Sequence, residues 1–363
     1  MNIKSITALY QETHCVSHTA TRLKGDSAVN HALDCRVNRE SEWTRKQSIT
    51  VRAQKEFESA ENLNTVYGVH PVFENIPETV TNFHNMMKKA VKERVVYENE
   101  RKLHEHVKTL VKQGNYIDIL KTAKMDATWQ SFMYNLPKGT MKFLLNSCLD
   151  TLPTLANLHQ WNKSPTDRCP HCRNRQNTFH ILNCCSTYLN QGRYTWRHNN
   201  ILHYIISLLN KNIYTVYSDI PGFSTSSNGT IPANLCVTSL VPDIVIVDER
   251  KKTVDIFELT VPFDTRIDEA HRIKSEKYNH FISDINSDYT TKVVPFEISS
   301  RGQVSRPNRE RLRELHKFTD KSLKLKDFVN NISSIAIASS YYIFVSRKEP
   351  VWSNTPTISP ILK

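Results

Sequence analysis

The sequence predicts an α/β protein with a helical lead-in, and three observations carry that reading. Between Pro242 and Val261, two apolar runs of period 2 flank a short polar turn. A helical pattern and a third strand-like run follow directly, the order expected of an α/β unit. Upstream, from about Thr79 to Lys211, apolar residues recur mostly at helical spacing. The 363 residues suffice for two or three domains with a buried core.

Taken in order, residues 1–78 are polar and weakly periodic, and read as a poorly ordered N-terminal segment. Residues 79–160 read as a helical linker region. Its long helix carries Met87, Val91, Val95, Leu103, Val107, Leu110 and Val111 and closes at Gly114. Asp126 opens a second helical stretch, DATWQSFMYNL, closed by Pro137, and TMKFLLNSCLDTLPTLANLHQW is mostly helical with a break at Pro153. A cysteine cluster and the amphipathic RHNNILHYIISLLNK fill residues 161–218. Asp219–Asn234 is a polar loop at a domain boundary. The strands PDIVIV and TVDIFELTV, joined by DERKK, open a domain over 235–330. A helix over Arg266–Ile282, the strand KVVPFEI and basic helices from Pro307 complete it. Residues 331–363 read as a C-terminal tail with an apolar run at Ile335–Val345.

Composition excludes several classes of function. No run of 18 apolar residues occurs, so a membrane span is not expected. The N-terminus lacks the apolar stretch of a secretory signal, and eight cysteines in an intracellular chain are not expected to form a disulfide scaffold. No GxGxxG or GxxxxGK[ST] loop occurs, so no small-molecule nucleotide cofactor is expected. The formal net charge is +12. Gln160–His198 holds six Lys/Arg and one acid, and Arg301–Lys326 nine Lys/Arg and three acids. Two concentrated basic segments read as a footprint for a polyanion.

Four cysteines, Cys169, Cys172, Cys184 and Cys185, fall within the run CPHCRNRQNTFHILNCC. Zinc takes four soft or borderline donors in a tetrahedron, and a C-x2-C knuckle puts two thiolates on one turn. His180 and then Cys185 follow at spacings of seven and four residues, with Cys185 preferred over Cys184 and His171 turned away. Structural Zn2+ on Cys169, Cys172, His180 and Cys185 is the expectation. Arg168, Arg173, Arg175, Arg193 and Arg197, interleaved with Tyr194 and Trp196, suit contact with phosphates and exposed bases.

A second constellation lies in the strands. Asp243 begins the first strand, Glu258 ends the second, and the turn lies midway, so both carboxylates belong at one open end. Converging carboxylates hold a hard cation such as Mg2+. Ala270, Lys274, Lys277 and Phe281 share one face of the following helix, with Tyr278 one turn beyond Lys274. Carboxylates, a divalent cation and a lysine together suit phosphodiester hydrolysis.

The blocks LDTLPTLANLHQW, C-x2-C-x7-H-x4-C, RYTWRHN, VPDIVIVD, FELTVPFD, A-x3-K-x2-KY and VPFEISSRG occur here in one order. In that order the chain resembles the C-terminal region of non-LTR retrotransposon reverse transcriptase polyproteins. The resemblance covers about residues 125–302. It implies a CCHC zinc module followed by a PD-(D/E)xK restriction-endonuclease-like α/β core. That nuclease nicks DNA to expose a 3′-hydroxyl for target-primed reverse transcription. Asp243 and Glu258 would be Mg2+ ligands, with Lys274 or Lys277 as the lysine moved to the helix and Tyr278 completing the KY pair. Arg301 and Arg306 join the nucleic-acid-binding set. Implied partners are DNA and the element's RNA, with no membrane, and the implied compartment is the nucleus. Two departures stand out: Val241 replaces an arginine common before the proline, and no [FY]xDD polymerase motif occurs. The alternatives are a catalytically inactive zinc-containing nucleic-acid-binding protein and a transposon remnant.

Overall fold

Helical spacing, more than polarity, governs the N-terminal residues. The computed structural model describes residues 6–23, 27–37, 51–53, 55–56, 80–110, 114, 125–126, 131–220, 231–236, 241–279, 285–352 and 356–359. Within the segment expected to be poorly ordered it has two helices, α1 (Ile6–Leu23) and α2 (Ser27–Val37). The remainder of residues 1–78 lies almost entirely outside the described residues. The correction has a physical cause. α1 packs on the long helix α3 (Val80–Thr109), burying Cys15 and Thr19 on one side and Met87, Val91 and Val95 on the other. Burial pushes the Cys15 thiol up to about 12. Lys92 reaches Glu12 at 3.2 Å across this packing. Farther along α3, Leu103 and Leu110 are exposed, and the helix stops at Thr109, short of Gly114.

The chain divides into two compact units, 1–110 and 111–363. This differs from the five segments read from the sequence. The second unit contains β1 (Met125–Asp126), α4 (Lys138–Cys148), α5 (Leu155–Gln160), α6 (Ser186–Asn190) and α7 (Arg193–Ser207). There follow β2 (Thr215–Tyr217), β3 (Ile244–Asp248), β4 (Thr253–Thr260), α8 (Ile267–Asn279), β5 (Thr290–Glu297) and β6 (Val304–Ser305). Helices α9 (Arg306–His316) and α10 (Leu325–Val345) come last. Where a helix from Asp126 was expected, Met125–Asp126 instead pairs with Val304–Ser305. Between Asp126 and Pro137 the described residues hold only 3-10 turns, at Ser131 and Met133–Asn135.

The main sheet is mixed, ordered β2-β3-β4-β5. The expected hairpin forms, with Val245 opposite Ile256 and Asp248 opposite Thr253. Its turn is fixed by Asp248, whose Oδ1 accepts from the Arg250 and Lys251 N–H groups, each at 3.1 Å. β5 then runs parallel to β4, which requires a crossover, and α8 supplies it. The expected helix over Arg266–Ile282 is α8, and residues 280–282 lie outside the described residues. β2 falls where no strand was expected and extends the hairpin on its far side.

Both faces of the sheet are covered, which is why β3 reads as unbroken Ile and Val. Ile244, Ile246, Phe257 and Leu259 pack under α7, α9 and α10, while Val245, Val247, Val254, Ile256 and Tyr278 form the other layer. The expected C-terminal tail is corrected most sharply. α10 runs through the main core, with Ile332, Ile335 and Ala336 fully buried. It is long and apolar enough to cross a membrane, yet 78% of its most apolar 18-residue window is buried inside the protein. Its serines are buried too, and Ser333 Oγ donates to the Gly302 carbonyl at 2.5 Å. Gly302 has φ +73°, and a Cβ there would lie 2.6 Å from Ile337 Cγ1. Gly302→Ala therefore meets both a left-handed backbone and a clash. Chemical denaturation should show a loss of about 2 kcal/mol or more; an unchanged midpoint would contradict the close packing of α10.

Candidate functional site

The cysteine segment folds as a tight knuckle. Cys169 N–H donates to the Asn174 carbonyl at 2.7 Å, and Arg173 N–H donates back to Cys169 at 2.9 Å. Arg173 takes φ +66° to close the turn. A π-helical turn, His180–Cys184, then delivers His180 at its start and Cys185 just past its end. The donor atoms of Cys169, Cys172, His180 and Cys185 all lie within 4.8 Å of one another. Cys172 Sγ is 3.3 Å from His180 Nε2 and 3.8 Å from Cys185 Sγ. Two thiolates bound tetrahedrally at zinc distances are separated by about 3.8 Å. The set could hold a metal such as zinc.

Electrostatics fits this donor set. Burial pushes the Cys185 thiol up to about 12 and lowers the imidazole of His180, costs that a bound cation would offset. The Cys172 thiol moves down: burial opposes this, but the Asn174 N–H and the Cys185 and Cys169 thiols outweigh it. Cys184 is exposed, with its sulfur 3.8 Å from the Phe179 carbonyl and outside the donor set. His171 is also turned away, with Nε2 3.1 Å from the Arg347 carbonyl.

The expected nucleic-acid-binding residues divide by burial. Arg168, Arg173, Arg175 and Arg306 are exposed. Arg168 and Arg175 each lie 3.4 Å from Asp167. Four others are corrected. Arg193 is 0% exposed and donates to the Ser346 and Glu349 carbonyls at 2.8 Å each, closing the C-terminal end of α10. Arg197 is 1% exposed and donates to the Leu182 and Val261 carbonyls and to Ser340 Oγ. With no carboxylate beside it among the described residues, burial lowers its guanidinium to about 10. Arg301 is buried in an ion pair with Asp264 and donates to the Ser147 carbonyl at 2.7 Å. Trp196 packs against Tyr342 and Trp352, and its indole N–H donates to Pro356. These four side chains hold elements together, and positive charge in the sequence gave no sign of it.

The carboxylates meet in a cleft of about 680 Å³. Asp243 precedes β3, and its N–H donates to Glu258 Oε2 at 3.1 Å. Asp243 Oδ2 accepts from the Leu259 N–H at 2.8 Å. Glu258 is nearly inaccessible, and Lys274 from α8 meets its Oε1 at 2.5 Å. Lys277 lines the same cleft but sits over the Tyr278 ring, Nζ 3.4 Å from the hydroxyl. The structure thus brings Asp243, Glu258 and Lys274 together and leaves Lys277 one step back. Tyr278, named with the catalytic residues through the KY pair, is fully buried beside Glu258 and does not line the cleft. Burial first, and then the charge and hydrogen bond of Glu258, raise its phenol far above the ordinary range. The sequence reading missed His198, whose Nε2 is 3.2 Å from Asp243 Oδ2. The available signal was the spacing Tyr194, His198, Leu202, one helix face lining the cleft.

Two outcomes are expected. Purified protein should hold about one equivalent of zinc by metal analysis; Cys172→Ser and Cys185→Ser should lose it, and Cys184→Ser should keep it. Arg197→Ala should cost about 3 kcal/mol in denaturation, because three acceptors lose one donor, whereas Arg173→Ala should leave stability within about 0.5 kcal/mol. Comparison with protein-family models and with curated proteins gives no match to this chain.

Proposed function

We propose that this chain is a divalent-metal-dependent DNA endonuclease with a structural zinc module. The observation that carries the reading is the convergence of Asp243, Glu258 and Lys274 in one cleft at the open end of the β3–β4 hairpin. Supporting it is the order of elements around that cleft: helix α7, strands β2, β3 and β4, helix α8, then the parallel strand β5. Strand-end acids with a helix-borne lysine are what a PD-(D/E)xK core of the retrotransposon type would need.

Asp243 and Glu258 offer hard oxygen donors: both Glu258 oxygens accept, from Lys274 and from the Asp243 N–H, while among the described residues the hydrogen bonds to the Asp243 carboxylate fall on Oδ2 alone. The donor set therefore fits Mg2+, which when bound would screen the scissile phosphate and favour ionisation of water. The protein's own groups do the rest. The Leu259 N–H fixes Asp243, and the Asp243 N–H fixes Glu258, so the two carboxylates share one rigid frame. Lys274 carries an ammonium to the carboxylate pair, where it can meet charge developing on the phosphate. Hydrolysis adds water across the phosphodiester: the P–O3′ bond breaks, leaving a 3′-hydroxyl and a 5′-phosphate. Exposed Arg168, Arg173 and Arg175 are the knuckle's candidates for holding the strand.

The test is nicking of supercoiled plasmid by the full chain with Mg2+. Asp243→Ala and Glu258→Gln should each reduce nicking by roughly 10²-fold or more, while DNA retention in gel shifts persists. Equal nicking by wild type and Asp243→Ala would sink the enzyme reading. Retention without nicking would leave an inactive nucleic-acid-binding protein.

A further inference from the structure

We propose that His198 is a positioning residue that fixes which oxygen of Asp243 is presented for a divalent cation. The inference rests on the endonuclease reading only for what the cation then does; the placement of Asp243 stands on geometry alone.

His198 projects from α7, the helix that also carries Arg193, Trp196 and Arg197. Its Nε2 lies 3.2 Å from Asp243 Oδ2 and 3.2 Å from the Leu259 carbonyl. Both neighbours are acceptors, so this nitrogen carries the proton and donates. The Leu259 N–H donates to the same Asp243 oxygen at 2.8 Å. The imidazole and both main-chain groups of Leu259 therefore close a ring around Oδ2. The other ring nitrogen faces Asn199 Oδ1 at 3.2 Å.

Three consequences follow from that ring. A carboxylate turns about a broad, roughly two-fold torsion, and one hydrogen bond restrains it poorly. Two donors on one oxygen, arriving from different elements, restrain it well and leave Oδ1 for the cleft. The arrangement also argues against Nε2 of His198 as a general base, because a nitrogen that donates to two acceptors has no lone pair for a proton. Finally, His198 ties α7 to β4 one residue beyond Glu258, so the helix bearing Arg197 and the strand bearing Glu258 share one fixed point. Outer groups that orient a ligand commonly account for ten- to a hundred-fold in metal affinity.

The experiment uses the full-length zinc-loaded protein and two readouts, Mn2+ binding followed by the EPR signal of free Mn2+ and plasmid nicking over a Mg2+ series. His198→Ala should weaken Mn2+ binding roughly ten-fold and raise the Mg2+ requirement for nicking to match. His198→Asn keeps polarity at the site but cannot reach Oδ2, and should behave like the alanine variant. His198→Gln carries an N–H near the original position and should recover most of the loss. A purely structural role would lower melting temperature in all three variants without this order. Mn2+ affinity equal to wild type in the folded alanine and asparagine variants overturns the proposal. Weakened Mn2+ binding in a protein whose wild type never nicks would sink the endonuclease reading and uphold the role of His198. No Mn2+ binding by wild type at any Asp243-dependent site would overturn both.

Discussion

The second unit is organised around a buried cation with no anion beside it among the described residues. The guanidinium of Arg197 meets the carbonyls of Leu182 and Val261 and the hydroxyl of Ser340, and its Nε is without a partner among the described residues. Removing a charge from water costs several kcal/mol, and nothing here offsets it by direct charge pairing. What the arrangement supplies is geometry. Leu182 lies in the turn between His180 and Cys185, Val261 directly follows β4, and Ser340 sits on α10. One planar group with a fixed fork of donors registers three elements that share little sequence proximity. A lysine could not do this, since its donors rotate and converge on one atom.

Because that anchor is rigid, the cleft inherits its geometry. The neighbouring residue on α7 is His198, so helix and hairpin meet twice within one turn, once through Arg197 and once through the Asp243 carboxylate. Asn183, beside Leu182, reinforces the same junction by donating to the Val261 carbonyl at 2.9 Å. The knuckle and the acidic site are thus parts of one packed body. A metal bound by the cysteines would stiffen the cleft without touching it.

Much of this was legible in the sequence, and the exceptions share a cause. The hairpin, the crossover helix and the third strand follow from period 2, a polar turn and helical spacing, all local signals. The choice of Cys185 over Cys184 likewise followed from spacing. Arg193, Arg197 and Arg301 were misread because solvated and buried arginines have the same letter; only tertiary contacts distinguish them. β2 escaped notice because three residues carry almost no periodicity, and its identity comes from pairing with β3. α10 read as a tail because serine-punctuated apolar sequence is ambiguous between a strand and a helix until its neighbours are known. In α1, polar composition masked a narrow stripe that needed α3 before it counted as a core.

The position of α10 along the chain has a bearing on biosynthesis. A ribosome delivers residues 325–345 after every described strand, both acidic groups and all four candidate metal-binding residues have emerged. Until then Arg197 lacks its hydroxyl acceptor, the knuckle lacks Ile343 and Phe344 to pack against, and one face of the sheet is covered by α7 and α9 alone. The nascent chain must hold these surfaces open, a state prone to non-native association. Assembly of the cleft is accordingly a late, nearly all-or-none event in the making of the protein, with a single helix acting as its keystone.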